Sequence, residues 1–224
     1  MVRGLYASAT AMVAEITRQE VIANNLANAS SPGFQRQLVA FATLPPAGGP
    51  DAGAVALEPG TRVTTLAADP TPGSLHESGD PLEVALDGPG FFVVQTASGL
   101  VYTRDGGFRV GPTGRLETRS GDAVLGQAGP IVPGKRAVTI GEDGTLFADG
   151  QPLDRLQVVQ EGPTGIEPVA PPRLRPGSRE GSNVNPVREM AAMIAGFRVY
   201  EANQRALQMQ DRTLEVATSE VARL

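Results

Sequence analysis

The stretch "VIANNLANASSPGFQRQ", residues 21–37, opens as a helix and stops abruptly. Reading back toward the N-terminus, Leu5, Ala9, Met12, Ile16, Gln19, Ala23 and Leu26 recur at alternating spacings of four and three. That period places them along one seam of a helix, with Gln19 as the polar exception. Asn24, Asn25 and Asn28 crowd its last turns, although Asn is a poor helix former. Pro32 and Gly33 then end the helix and redirect the chain. Asparagines held inside a helix end are expected to bond a neighbouring backbone or subunit and so fix register, as a buried Asn does between helices.

The far end of the chain has the same character. Met193, Tyr200, Leu207, Leu214 and Val221 form one apolar heptad column. Met190 and Phe197 open the neighbouring column, which turns polar at Gln204, Asp211 and Thr218. Glu201, Arg205, Gln208, Arg212 and Glu215 leave the rest of the helix polar, so its seam is narrow and suited to another helix. A helix from Pro186 to Arg223 would be roughly 57 Å long, which is rod-like for so small a chain. In "SNVNPV", Ser182, Asn183 or Asn185 is placed to cap it, with Pro186 in the first turn.

Between the two ends the apolar period changes to alternation. Strands are expected at 83–86, 91–95, 100–104, 114–118, 123–126, 137–140, 144–147 and 155–159. Asp105-Gly106-Gly107, Pro112-Thr113-Gly114, Ser120-Gly121-Asp122 and Glu142-Asp143-Gly144 punctuate them as turns, with Asp-Gly pairs supplying the positive φ of tight hairpins. Stretches rich in Pro, Gly and Ala flank this β segment and read as extended connectors. The expected fold is therefore α+β. Residues 1–33 and 182–224 form a coiled-coil helical domain, 34–80 an outgoing connector, 81–160 a small antiparallel β-rich domain, and 161–181 a return connector.

Composition narrows the function. A net charge of −5 and the absence of any basic run argue against sequence-independent nucleic-acid binding. With no Cys there is no disulfide framework, thiolate metal site or Cys nucleophile. The only histidine, His76, lacks a second His for a zinc set, and no Gly-x-Ser-x-Gly elbow provides it with a nucleophile. Glu142/Asp143 and Asp149/Asp154 sit beside glycines and read as turn chemistry, without the oxygen-ligand spacing of an EF-hand. "DGPGFF" precedes a strand and lacks the lysine of a phosphate-binding loop. No catalytic residue, cofactor site or metal site is assigned. Glu15, Arg18 and Glu20 interrupt the N-terminus before any cleavage site, so no cleaved signal peptide is expected, and no segment reaches the apolar length of a membrane span.

Three segments carry a resemblance: "ANNLANASSPGFQRQ" near the start, "GDPLEVALDGPGFFVVQTASGLVYTRDGGFRVGPTGRL" in the middle and "EGSNVNPVREMAAMIAGFRVYEANQRAL" near the end. Together they resemble the rod and hook proteins of the bacterial flagellum, the proximal rod type first and the distal rod type next. The resemblance implies that the terminal helices pair as the inner layer of a helical tube and the β domain forms an outer layer. It implies a partner set of other rod proteins and further copies of the chain, with export through the flagellar type III apparatus in transit to the basal body in the periplasm. It assigns an assembly role to Asn24, Asn25, Leu26, Asn28, Pro32, Gly33 and Phe34, and to Ser182, Asn183, Val184, Asn185, Met190, Ile194 and Tyr200. The seam residues Leu5, Met12, Ile16, Ala23, Met193, Phe197, Leu207 and Leu214 join that set. The chain is short between Val159 and Glu180 relative to the family pattern, which alters the outer edge of the β domain. The rival is a secreted β-domain module binding a glycan or surface protein and oligomerised by its helices; a cell-wall enzyme comes third. The module would present an aromatic platform, whereas Phe91, Phe92, Tyr102, Phe108 and Phe147 are spaced like core positions.

Overall fold

A computed structural model describes residues 2–43, 61–162, 165–169 and 171–221. Side chains at 2–7, 43, 61–62, 217 and 220–221 fall outside that description, so Leu5 and Val221 carry no structural statement about their seams. Helix α1 (Val2–Ala27) and helix α2 (Pro186–Val221) flank a central antiparallel β-rich region. The chain forms two compact units, one of residues 1–27, 36–69 and 185–224 and one of residues 28–35 and 70–184.

In the helical unit α1 and α2 run antiparallel. Gln19 donates from Nε2 to the Met193 carbonyl at 3.1 Å, and Asn25 meets Glu189. Along α2 Glu189 and Gly196 are buried, and Ala192, Met193, Tyr200, Asn203, Ala206, Leu207, Gln210 and Leu214 are half-buried. The heptad column of Met193, Tyr200, Leu207 and Leu214 is half-buried throughout. Its neighbour is not. Met190 and Phe197 are 49% and 57% exposed, and small or polar Glu189, Gly196, Asn203 and Gln210 occupy the inner column instead. The physical reason is close approach: a Cβ on Gly196 would lie 2.0 Å from Gln19 Nε2 and 2.1 Å from Glu15 Oε1, so α1 sends polar side chains into this notch.

The α1 seam keeps Ala9, Met12, Gln19 and Leu26 at least half-buried, but two of its positions give way to their neighbours. Ala14, Glu15, Val21, Ile22 and Asn25 are buried, whereas Ile16 is 46% exposed and Ala23 is exposed. Met12 and Leu26 are half-buried. Polar Glu15 and Asn25 lie on the inner stripe, where a hydrophobic count does not place them.

Beside α1 and α2 the unit holds a long hairpin of Gln37–Thr43 and Thr61–Ala68, paired from Gln37↔Ala68 to Thr43↔Thr61 with a bulge at Ala40/Phe41. It occupies part of the stretch expected as an extended connector. Its strands are separated by 44–60, so no tight-turn signal links them. The return segment also pairs: Leu174–Pro176 with Val84–Leu86, and Ser178–Glu180 with Leu75–Glu77.

The β unit is built on an antiparallel sheet ordered Gly165–Pro168, Val158–Gly162, Phe91–Thr96, Ala123–Gly126, Leu116–Thr118 and Phe108–Val110. Gly99–Thr103 adds to Phe91–Thr96, and a three-stranded meander of Val138–Ile140, Thr145–Ala148 and Gln151–Arg155 completes the layers. The strand expected at 155–159 is thus two strands, ending at Arg155 and beginning at Val158. Val84, Phe92, Leu116, Val124, Leu146, Leu156 and Val158 form the core, where Phe92 and Phe108 meet edge to face at 5.2 Å. Tyr102, spaced like a core residue, is 40% exposed because Gly99–Thr103 contributes no buried face.

Asp149 and Gly150 both take positive φ (51° and 77°) between Thr145–Ala148 and Gln151–Arg155, a tight-turn conformation that suits Asp-Gly. Asp143 accepts from the Thr145 hydroxyl at 2.8 Å and from its backbone N–H at 3.1 Å, which holds its carboxyl below the usual carboxylate range with help from Arg155. These acids serve turns, as their glycine neighbours predict. Asp105-Gly106-Gly107 differs: neither glycine has positive φ, and the segment joins two strands that do not pair with each other. Gly106 is required for close packing, since a Cβ there would lie 1.7 Å from the Val84 carbonyl oxygen.

Candidate assembly interface

In the helical unit, the end of α1 is held by a polar cluster. Asn25 is 1% exposed, and its amide clamps one residue of the hairpin from both sides, donating Nδ2 to the Gln37 carbonyl at 3.0 Å and accepting the Gln37 N–H on Oδ1 at 2.8 Å. Glu189, also 1% exposed, pairs with Arg36 Nε at 2.6 Å and lies 3.5 Å from Asn25 Nδ2. One of the three asparagines therefore sets register by bonding a neighbouring backbone, and that backbone belongs to the same chain. Asn24 is exposed and Asn28 half-buried, with the Asn28 carbonyl receiving the Ser31 N–H at 3.1 Å. Asn25→Ala is expected to cost about 1–3 kcal/mol, since it leaves two backbone groups of Gln37 without partners. Hydrogen exchange at the Gln37 amide should accelerate in that variant while amides in the Phe91–Thr96 strand keep wild-type rates.

At the start of α2, Asn185 is the N-cap: its Oδ1 accepts the Arg188 N–H at 3.1 Å, and Pro186 takes the first helical position. Ser182 closes the turn before it, accepting the Val184 N–H on Oγ at 3.2 Å, and Val184 is buried. Asn183 donates to the Thr71 carbonyl at 2.8 Å.

The outward face of α2 is apolar over its first three turns. Val187 (76% exposed), Met190, Ile194 (57%) and Phe197 follow one another at spacings of three, four and three. Helix geometry puts all four on one stripe. Beyond Phe197 the same stripe continues as Glu201, Gln204, Gln208 and Asp211, so its apolar part ends sharply.

In the β unit, segments from three distant parts of the sequence meet at one buried charge pair. Arg104 and Glu180 are 3% and 2% exposed, and Arg104 Nε donates to both Glu180 oxygens at 3.0 and 2.9 Å. The other guanidinium nitrogens reach the Gly90 and Gly88 carbonyls, each at 3.0 Å, while Glu180 Oε1 accepts the Gly73 N–H at 2.9 Å. The Glu180 carbonyl receives the Gly33 N–H at 2.9 Å, and the Asn183 N–H reaches the Phe34 carbonyl. Gly33 has φ of 64°, and a Cβ there would lie 2.3 Å from the Asp105 N, so only glycine fits. Pro32 and Phe34 beside it are half-buried. Arg104 and Glu180 stand 76 residues apart, and neither an apolar period nor a turn pattern marks them in advance.

Among the described residues no cluster of His, Asp or Glu has the form of a metal site, and no helix is long and apolar enough to cross a membrane. Known proteins extend this picture. The flagella basal body rod protein family matches residues 5–35, the flagellar hook protein FlgE/F/G D1 domain matches 85–148, and the flagellar basal body rod FlgEFG protein C-terminal family matches 175–220. Flagellar basal-body rod protein FlgF of Escherichia coli is 39% identical over 245 residues, spanning 94% of this chain and 95% of its own. The chain belongs to the flagellar basal-body rod protein family. Within that rod family, FlgF of Salmonella typhimurium is 37% identical with the same coverage of both chains. Flagellar basal-body rod protein FlgG of Buchnera aphidicola, 30% identical over 96% of this chain and 98% of its own, stands further off. Gly33, Arg104 and Glu180 fall one in each of the three matched regions, so the buried node joins all three segments by which this rod-family chain is recognised.

Proposed function

We propose that the chain is a non-enzymatic structural subunit of the flagellar basal-body rod, of the FlgF type, which assembles with related rod proteins through its terminal helices. The observation that carries the assembly mode is the apolar stripe of Val187, Met190, Ile194 and Phe197 on the outward face of α2. A contiguous apolar stripe left in water is unfavourable for a monomer and suits a partner surface. The inner seam of Met193, Tyr200, Leu207 and Leu214 keeps the two helices together within one subunit as a coiled-coil layer, and the stripe leaves that layer free to join the next. Pro32, Gly33, Phe34 and Ser182–Asn185 act from within, holding the chain turns from which the helices emerge. Repetition around a helical tube multiplies each contact, so individually modest interfaces suffice. Export through the flagellar type III apparatus without cleavage, and passage of the finished rod through the periplasm, complete the proposal.

The direct test is Ile194→Asp, which places a charge in the stripe at a side chain that is 57% exposed. Far-UV circular dichroism of the purified variant is expected to match wild type, and a strain carrying it in place of the native gene is expected to lose rod incorporation and motility. Normal incorporation would remove α2's outward face from the assembly.

A further inference from the structure

A second surface feature of the β unit is polar and cationic. A cavity of about 260 Å³ is lined by Ser30, Pro32, Ser74, His76, Arg179 and Ser182, with Ala29 and Gly181 completing the wall. His76 and Arg179 are direct cross-strand partners in the pairing of Leu75–Glu77 with Ser178–Glu180, so their side chains stand next to each other on one face. Two basic groups opposed in this way repel when both are charged, and no acidic side chain lines the cavity to separate them.

The acid that does approach from outside it, Glu83, is already held by Arg119, and it lies 3.6 Å from Arg179 Nη1, beyond hydrogen-bond reach. The planar guanidinium of Arg179 thus retains donors for a bidentate acceptor. Three hydroxyls add to it: Ser74 Oγ lies 2.9 Å from His76 Nε2, Ser182 Oγ accepts from Val184 while its proton stays available, and Ser30 stands exposed at the rim.

We infer that this cavity is an oxyanion site whose occupant is a carboxylate side chain presented by an adjacent rod subunit. The shared chemistry is a planar or tetrahedral oxyanion bridging Arg179 and His76, and the chain's own excess of acid, 24 Asp and Glu against 19 Lys and Arg, makes a second copy or relative a ready source. The identity of the source rests on the assembly proposal; the site itself does not.

His76 is the sole histidine, so its ring protons give an unobscured NMR signal in the monomer. Titration with acetate, and separately with inorganic phosphate, is expected to shift the His76 resonances saturably. Arg179→Gln should weaken that binding at least tenfold. Ser30→Asp, which supplies a carboxylate at the rim of the cavity and spares the strand pairing, should abolish the response and also block incorporation into rods. A linear, unsaturating shift that is unchanged in Arg179→Gln would overturn the site. Saturable binding combined with normal rod incorporation of Ser30→Asp would overturn the subunit carboxylate as the occupant and assign the site to free anions. Because the titration uses monomer alone, loss of assembly by Ile194→Asp has no bearing on its outcome.

Discussion

Arg104→Ala is expected to destabilise the β unit by about 3–5 kcal/mol, the cost of leaving a buried charge without its partner. Glu180 would keep the Gly73 N–H but lose both guanidinium contacts, and the Gly88 and Gly90 carbonyls would lose their donors as well. Against a total stability of about 5–15 kcal/mol for a domain, this is a large fraction. Urea unfolding of the purified chain, followed by circular dichroism, measures it through a lowered midpoint. The double variant Arg104→Met, Glu180→Met is expected to lose much less than the sum of the two single changes, because it removes both buried charges together. A midpoint for Arg104→Ala within experimental error of wild type would show that the pair adds nothing to the unit.

Gly106→Ala is the second large effect. The new methyl would meet the Val84 carbonyl at 1.7 Å and the Phe92 ring at 3.1 Å. Val84 cannot withdraw, since its N–H donates to the Gly106 carbonyl at 3.0 Å and its strand pairs with Leu174–Pro176. Forcing the backbones apart at the core is expected to cost about 3 kcal/mol. Gly121→Ala provides the contrast. Gly121 has φ of 95° with open space where a Cβ would go, so only the conformational penalty of about 1–2 kcal/mol applies. Thermal melts of the two variants side by side should rank them in that order, and equal losses would mean that the close approach of Gly106 to Val84 costs no more than the φ penalty at Gly121.

The contrast between these glycines also shows what a sequence discloses. Asp-Gly at 149–150 announces a tight turn because the backbone conformation is a property of those residues themselves, and Asn185-Pro186 announces a helix start for the same local reason. Gly106 resembles such a turn glycine in sequence, yet its need arises from Val84, 22 positions earlier, and no local pattern expresses that. The column of Met193, Tyr200, Leu207 and Leu214 stands out in the sequence because apolar heptads are a periodic signal. The inner positions Glu189 and Gly196 carry no such signal, since their burial depends on Asn25, Gln19 and Glu15 of α1. Asn25 is legible as an unusual residue for a helix end, whereas its partner Gln37 appears only once the hairpin has folded back. The hairpin carries no local signal because 44–60 separates its strands. The same distance effect hides Arg104 and Glu180: both lie within the segments that carry the family resemblance, but their pairing is a tertiary fact.

The outward stripe at the head of α2 is expected to be covered when subunits assemble. The chain contains no cysteine, so Ile194→Cys introduces a unique thiol. Its rate of modification by a soluble maleimide can be measured in the purified monomer, in isolated basal bodies and in the denatured chain as a common reference. Rapid labelling is expected in the monomer, near the denatured rate, with at least tenfold protection in basal bodies. Equal labelling of monomer and basal bodies would contradict coverage of the stripe, because Ile194 would then still face solvent in the assembled rod.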